Sequence, residues 1–319
     1  MTKNVVVLVT GGSGLIGRAI ADVVNRERGE SQHEKWIFAS SKDANLSSYN
    51  ETYELFEKVR PTHVIHLASK VASLYASLED NLDVFLHNVH VHENVSKCAN
   101  EFEIQRMVSC CSACVFPENA TFPLDETKLH NGPPPRSYFS YGYAERIGLV
   151  FNQLYDEDFQ RNFVTAICCN VYGPGDNFDL TSAHVVSGLI HRCYLAKLNN
   201  TPFTVYGTGE PIRQFLFSID AARLLIWALF DYGQSSPIIL SVNEQEAVSV
   251  KKVAQIISEL MEFKGSIVFD STKGDGQQKR PLSNQKLRSY LPDLKFTPLS
   301  EGIKATVSWF VKNYEVARK

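Results

Sequence analysis

Apolar residues fall in short runs separated by amphipathic stretches. Residues 5–9 (Val-Val-Val-Leu-Val) form an unbroken apolar run, as a parallel strand buried on both faces requires. Residues 15–26 then place Ile16, Ala19, Ile20, Val23 and Val24 on one face of a helix. The same reading predicts strands at 36–39, 63–67, 106–109 and 163–169, and helices at 52–59, 82–99 and 141–155. Pro61 punctuates the start of the third strand. Repeated strand–helix units predict an α/β fold, a doubly wound parallel sheet with helices on both faces.

After Asn170 the pattern changes. Tyr172-Gly173-Pro174-Gly175-Asp176-Asn177 is a loop by composition. Short segments then dominate, with helices expected near 184–197, 219–232, 249–262 and 300–315. Residues 1–170, joined by about 213–242, are expected to form a Rossmann-type domain. Residues 171–212 and 243–319 are expected to form a smaller lobe over the open end of the sheet.

The turn between the first strand and first helix carries the chemistry. Gly11, Gly14 and Gly17 are spaced three apart in Thr10-Gly11-Gly12-Ser13-Gly14-Leu15-Ile16-Gly17. The first glycine permits a tight turn, the second lets backbone approach a pyrophosphate, and the third allows close helix packing. The helix N-terminus offers free N–H groups and partial positive charge to phosphate. Gly11, Ser13, Gly14, Leu15, Ile16 and Gly17 are therefore candidate dinucleotide contacts. A second strand ending in Asp or Glu would favour NAD. Here Ser40, Ser41 and Lys42 follow it, which suit a 2′-phosphate and favour NADP, with Asp43 in reach of the adenine end.

Composition narrows the partners. The chain has 319 residues, 44% of them hydrophobic, enough for a packed core. Its net charge is -3 with no dense basic block, which argues against nucleic acid or anionic membrane as partner. No apolar run approaches the ~18 residues of a membrane span, and the first residues lack a signal-peptide pattern, so a cytoplasmic location is expected. The seven cysteines lack metal-ligand spacing. Buried reduced thiols account for most of them, and no metal is expected.

The Thr-Gly-Gly-x-Gly-x-x-Gly spacing resembles the extended short-chain dehydrogenase/reductases. Other segments strengthen the resemblance: His66-Leu67-Ala68, Asn88, Ser112-Ala113-Cys114-Val115-Phe116-Pro117, Tyr141, Asn170-Val171-Tyr172-Gly173-Pro174, Asp176-Asn177-Phe178, Ser182-Ala183-His184-Val185 and Arg213-Gln214-Phe215. In this order they are similar to members that epimerise GDP-4-keto-6-deoxymannose at C3 and C5 and reduce it at C4. The resemblance implies Cys114 and His184 as the acid–base pair, and Tyr141 with Ser112 as proton donor and its holder. It adds Leu67, Ala68, Asn88, Tyr141 and Asn170 to the cofactor contacts. It implies Asn170, Arg192, Tyr206, Arg213 and Arg280 on the GDP-sugar. It also implies a homodimer formed by the 82–99 and 141–155 helices, whose Leu82, Phe85, Leu86, Val89, Val95, Ile147, Val150, Phe151 and Leu154 are otherwise expected in the core.

One position departs from the resemblance. A lysine four residues after the tyrosine, one turn along the same face, normally lowers the phenol's pKa and holds the nicotinamide ribose. This chain has Glu145 there. A carboxylate beside Tyr141 raises the phenol's pKa and opposes a phenolate. Arg146 lies about 140° off that face at 3.6 residues per turn and offers no substitute. On the sequence alone, Glu145→Lys should accelerate reduction. A dinucleotide-binding relative without turnover is the alternative reading.

Overall fold

The computed structural model describes residues 5–29, 33–70, 81–275 and 278–319; Met1 to Asn4, ahead of the first strand, lie outside them. The first half alternates as expected: β1 (Val5–Thr10), α1 (Leu15–Val23), β2 (Glu34–Ala39), α2 (Tyr49–Val59), β3 (His63–His66), α3 (Asn81–Glu101), β4 (Arg106–Ser112), α4 (Phe139–Phe159) and β5 (Phe163–Cys168). Expected and observed ends differ by a few residues. The first helix changes character: beyond Val23 the chain makes a π-helical turn over Val24–Arg28, ending at Gly29 with φ 65°.

The second half contributes β6 (Asn170–Tyr172), α5 (Val185–Asn199), β7 (Phe203–Tyr206), β8 (Ile212–Arg213), β9 (Phe215–Phe217), α6 (Ser218–Phe230) and β10 (Ile238–Leu240). It continues with β11 (Val248–Ser249), α7 (Val250–Leu260), β12 (Ile267–Asp270), α8 (Gln285–Tyr290) and α9 (Leu299–Lys312). Strand β10 leaves this half and joins the large sheet, pairing parallel with β5 through Ile238↔Ala166 to Leu240↔Cys168.

The large sheet is all parallel, ordered β10-β5-β4-β3-β1-β2. From β1 the chain goes outward to β2, then crosses back to β3 on the other side of β1. The direction of winding therefore reverses between β1 and β3, which opens a crevice at the carboxyl ends of those two strands. Helices cover both faces because every central strand is apolar on both sides: Val7, Leu8, Val9, Val64, Ile65, Met107, Val108, Val164, Ala166 and Ile167 are all fully inaccessible.

A second core lies among α5, α7, α9, β7 and β12. Val186, Leu189, Ile190, Phe203, Val205, Val253, Ile257 and Phe310 form its centre. Phe178, from the loop after β6, stacks on Phe310 at 4.3 Å between centroids. The chain boundary between the two cores is not simple. Leu282 and Leu287 belong to the core of the large sheet, and Leu291, Leu294 and Phe296 pack against it.

The apolar stripes of α3 and α4 do not all face inward. Val95 is buried, but Leu82 is 69% exposed, and Leu86, Val150 and Leu154 are also exposed. Phe85, Val89, Ile147 and Phe151 are only partly covered. The two helices instead pack on each other, with His92 of α3 meeting Glu145 and Gly148 of α4, while the buried Asn88 and Asn152 bond Lys70 and Thr165. The periodicity identified the right helices, but it could not say which of two faces turns to the protomer's own core.

Phe310 is inaccessible and central to the second core. Phe310→Ala leaves a cavity beside Phe178 and is expected to cost about 3–5 kcal/mol, measured as a lower urea midpoint with an unchanged slope.

Candidate active site

The crevice is floored by the glycine turn. Gly11 has φ 69°, and a Cβ there would lie 2.9 Å from the Ala68 backbone nitrogen. The turn thus rests directly on Leu67 and Ala68, at the end of β3. Gly14 begins α1 without a side-chain cap, so the first N–H groups of the helix are left for a ligand. A Cβ on Gly17 would come within 2.6 Å of Gly12, so the third glycine lets the helix close on the turn itself. Gly12 matters as much, since a Cβ there would strike Phe38 at 2.7 Å. Ser13 is exposed at the tip and its carbonyl accepts from Arg18 Nε, while Leu15 and Ile16 are half-buried. A cradle that a single Cβ would fill fits a pyrophosphate backbone.

At the end of β2, Ser40 is half-buried and Ser41, Lys42 and Asp43 are exposed. The Asp43 carboxylate folds back and accepts from the Ser40 N–H and hydroxyl, both at 2.8 Å. Those bonds hold its pKa below the usual range. Asp43 is thus engaged with Ser40, and Lys42 is exposed, open to an anion.

Behind the turn, Asn88 is inaccessible and reaches the site through a loop. Its Oδ1 accepts from the Lys70 N–H at 2.7 Å and its Nδ2 donates to the Lys70 carbonyl at 3.0 Å. Asn170 is exposed and donates to the Gln214 carbonyl at 2.9 Å, beside the parallel pair β6 and β9.

The structure brings Ser112, Cys114, Tyr141, Arg213 and Arg280 into one electrostatic cluster. Ser112 ends β4, and its Oγ accepts from the Cys114 N–H at 3.3 Å. Gly142 allows α4 to approach this loop, since a Cβ there would meet the Cys114 carbonyl at 2.8 Å. Burial pushes the Cys114 thiol up, while Arg280, Ser112 and Arg213 pull it back toward the thiolate. Arg280 donates to the Phe116 carbonyl at 2.7 Å, and its Nε is buried without a hydrogen-bond partner. Burial lowers the pKa of both Arg213 and Arg280. Two half-desolvated guanidiniums side by side suit an anionic ligand such as a diphosphate.

Two other expected residues meet elsewhere. The Arg192 guanidinium lies 4.0 Å over the Tyr206 ring, so these residues form one wall of the α5–β7 region. His184 caps α5 and pairs with the buried Asp176 at 3.8 Å. The Asp176 carboxylate raises the pKa of His184, whose side chain is 56% exposed. Asp176 was visible in the loop sequence, but nothing there marked it as the partner of His184.

Glu145 is almost inaccessible, and it is held. Its Oε1 accepts from Ser69 Oγ at 3.0 Å and from His92 Nε2 at 3.3 Å, and its Oε2 from the Ser112 N–H at 3.3 Å. Tyr141, also buried, has its phenol pKa raised well above the ordinary value, by burial first and Glu145 second. The effect expected of this carboxylate is therefore present. Arg146 turns away, donating to the Gly132 and Val115 carbonyls, and lies over the Tyr143 ring. A lysine placed at 145 would face the three donors that now serve the carboxylate. Glutamine is the milder neutral replacement, since it keeps one acceptor oxygen for Ser69 and His92 and turns its amide nitrogen toward the Ser112 N–H.

Comparison with known proteins agrees with this geometry. Residues 7–240 match the NAD dependent epimerase/dehydratase family. The chain belongs to that family. Family members similar over the whole chain include a GDP-L-fucose synthase of Dictyostelium discoideum, 46% identical over 318 residues and covering 100% of this chain and 99% of that protein. A GDP-L-fucose synthase of Sinorhizobium fredii is 30% identical, covering 96% and 95%. A crystal structure of a GDP-L-fucose synthetase from Naegleria fowleri bound to NADP superposes with a TM-score of 0.94 at 42% identity, covering 100% of this chain and 96% of that one.

Asp176→Asn removes the acceptor that raises His184, so the His184 pKa is expected to fall. A histidine raised by its partner contributes stability at pH below its unfolded value and loses it as pH rises through the folded one. Ring-proton NMR of His184 across pH checks the direction. An unchanged midpoint would mean that Asp176 does not act on the imidazole.

Proposed function

We propose that this chain is an NADPH-dependent epimerase-reductase that converts GDP-4-keto-6-deoxy-D-mannose to GDP-L-fucose. The observation that carries the proposal is the convergence of Ser112, Cys114, Tyr141, Arg213 and Arg280 at the mouth of the dinucleotide crevice. The whole-chain likeness to GDP-L-fucose synthases supports the substrate, and the NADP-bound neighbour supports the cofactor.

In this reading the Gly11–Gly17 turn and the α1 N-terminus hold the pyrophosphate, and Ser40, Ser41 and Lys42 hold the 2′-phosphate. Leu67, Ala68, Asn88 and Asn170 shape the cofactor side of the crevice. Arg213 and Arg280 bind the substrate diphosphate, and Arg192 with Tyr206 lines the nucleoside or sugar pocket. Cys114 and His184 move protons at C3 and C5, which the C4 ketone acidifies. His184 is suited to the acid because Asp176 favours its protonated form. The chemistry that NADPH supplies, when bound, is hydride transfer to C4. Tyr141 then gives its proton to the C4 oxygen, with Ser112 beside it.

The reading extends to organisation. Residues 1–170 with about 213–242 serve the dinucleotide, and 171–212 with 243–319 serve the GDP-sugar. The exposed Leu82, Leu86, Val150 and Leu154 on α3 and α4 suit a homodimer. Among the described residues no helix is long and apolar enough to cross a membrane, and we place the enzyme in the cytoplasm.

Incubation with GDP-4-keto-6-deoxymannose and NADPH in deuterated water tests both halves. Deuterium uptake into the sugar reports epimerisation, and loss of NADPH absorbance reports reduction. Cys114→Ser is expected to reduce uptake by roughly 10²-fold or more; uptake at the wild-type rate would remove Cys114 from the chemistry. Glu145→Gln takes the negative charge away from Tyr141, which lowers the phenol's pKa, and is expected to raise the rate of NADPH oxidation. Slower oxidation in that variant would show that the carboxylate assists the donor.

A further inference from the structure

Burying Glu145 requires a built pocket, and the pocket reaches across the crevice. His92 approaches it from α3 only because α4 has glycine at position 148, where a Cβ would meet the His92 ring at 2.8 Å. His66 Nε2 lies 3.2 Å from His92 Nδ1, and Thr10 Oγ1 lies 2.7 Å from His66 Nδ1. The carboxylate fixes the sense of this chain. It accepts from His92 Nε2–H, which leaves His92 Nδ1 to accept from His66 Nε2–H. His66 Nδ1 then accepts from the Thr10 hydroxyl, which itself accepts from the Leu67 N–H at 3.3 Å. His66 is fully enclosed and burial drives its pKa well down, so a neutral ring with one N–H fits. Every donor in the chain is therefore committed except one.

The exception is Ser69. Its hydroxyl carries one proton and lies among three acceptors. Glu145 Oε1 is at 3.0 Å and Asn88 Oδ1 at 3.2 Å, the latter already occupied by the Lys70 N–H. The third is the Tyr141 phenol, one turn before Glu145 on the same face of α4, whose ionisation the Ser69 hydroxyl favours. The other charged or titratable neighbours of that phenol, Glu145, Cys114 and Cys111, all oppose its ionisation.

We propose that Ser69 is a further residue of the proton-donor site, turning its hydroxyl from Glu145 to Tyr141 as the tyrosine gives up its proton. In that step the Tyr141 O–H bond breaks and an O–H bond forms at the C4 oxygen. The negative charge passes from the sugar alkoxide to the tyrosine oxygen, and the Ser69 hydroxyl donates a hydrogen bond to it. The residue acts through Tyr141 and is a positioning residue. The chain Thr10–His66–His92 holds Glu145 in place as the resting acceptor for Ser69.

The inference rests on Tyr141 as the reductase proton donor and is tested in the same assay. Ser69→Ala keeps the loop, whose backbone is held by Asn88. It is expected to lower the ratio of NADPH oxidation to deuterium uptake by about tenfold or more. Ser69→Thr restores the hydroxyl and is expected to return that ratio to within roughly threefold of wild type, on the scale of weak second-order effects. A retained ratio in Ser69→Ala, in a protein that exchanges deuterium and oxidises NADPH, overturns this inference alone. So does a loss that Ser69→Thr fails to restore. Wild-type protein that does neither reaction overturns the functional reading together with it.

Discussion

The placement of the site depends on one contact, the glycine turn after β1 seated on the backbone that leaves β3. It exists because β1 pairs with β3 on one side and β2 on the other, so the chain reverses direction across β1. At that reversal the turn rests on residues 67 and 68 after β3 and on Phe38 and Ala39 at the end of β2. Gly11 must be glycine there for two reasons: its φ is positive and Ala68 occupies the space of a Cβ. The same pairing sets Thr10 opposite His66 in register, which starts the hydrogen-bonded chain toward Glu145.

That chain changes the meaning of the Glu145 substitution. A lone buried carboxylate beside a buried phenol would be costly. Here its two oxygens have partners from α3, from the β3–α3 loop and from the end of β4. The substitution is thus supported by residues on three other elements, and Gly148 gives up helix propensity to admit one of them. The electrostatic consequence for Tyr141 remains, because hydrogen bonding stabilises the charge without removing it. The surroundings of Cys114 and His184 are different. Burial raises the Cys114 thiol, with Arg280 and Arg213 offsetting part of that rise, and Asp176 favours the cation of His184.

Much of the fold was legible because its signals are local. An unbroken apolar run such as 5–9 fits a strand covered on both faces, and three glycines at that spacing after it imply a turn that something approaches closely. The effect of Glu145 on Tyr141 followed from helical spacing alone. What escaped were partners far apart in the chain. His92 lies one turn beyond Asn88 on α3, but nothing in that spacing says that its ring enters a recess at Gly148. Asp176 was one acid in a polar loop until the tertiary structure set it against His184.

By itself, then, the sequence determined the strand–helix alternation, the dinucleotide turn, the membership of the family and the sign of the charge beside Tyr141. These depend on periodicity and on neighbours within a turn or two of chain. Only the tertiary structure decided which face of α3 and α4 is buried, that the returning segment enters the large sheet as Ile238–Leu240 beside β5, and that Ser69 bonds the Glu145 carboxylate. Those facts depend on packing between distant segments. A pattern of polar and apolar residues carries the requirement that a face be covered, but not the identity of what covers it.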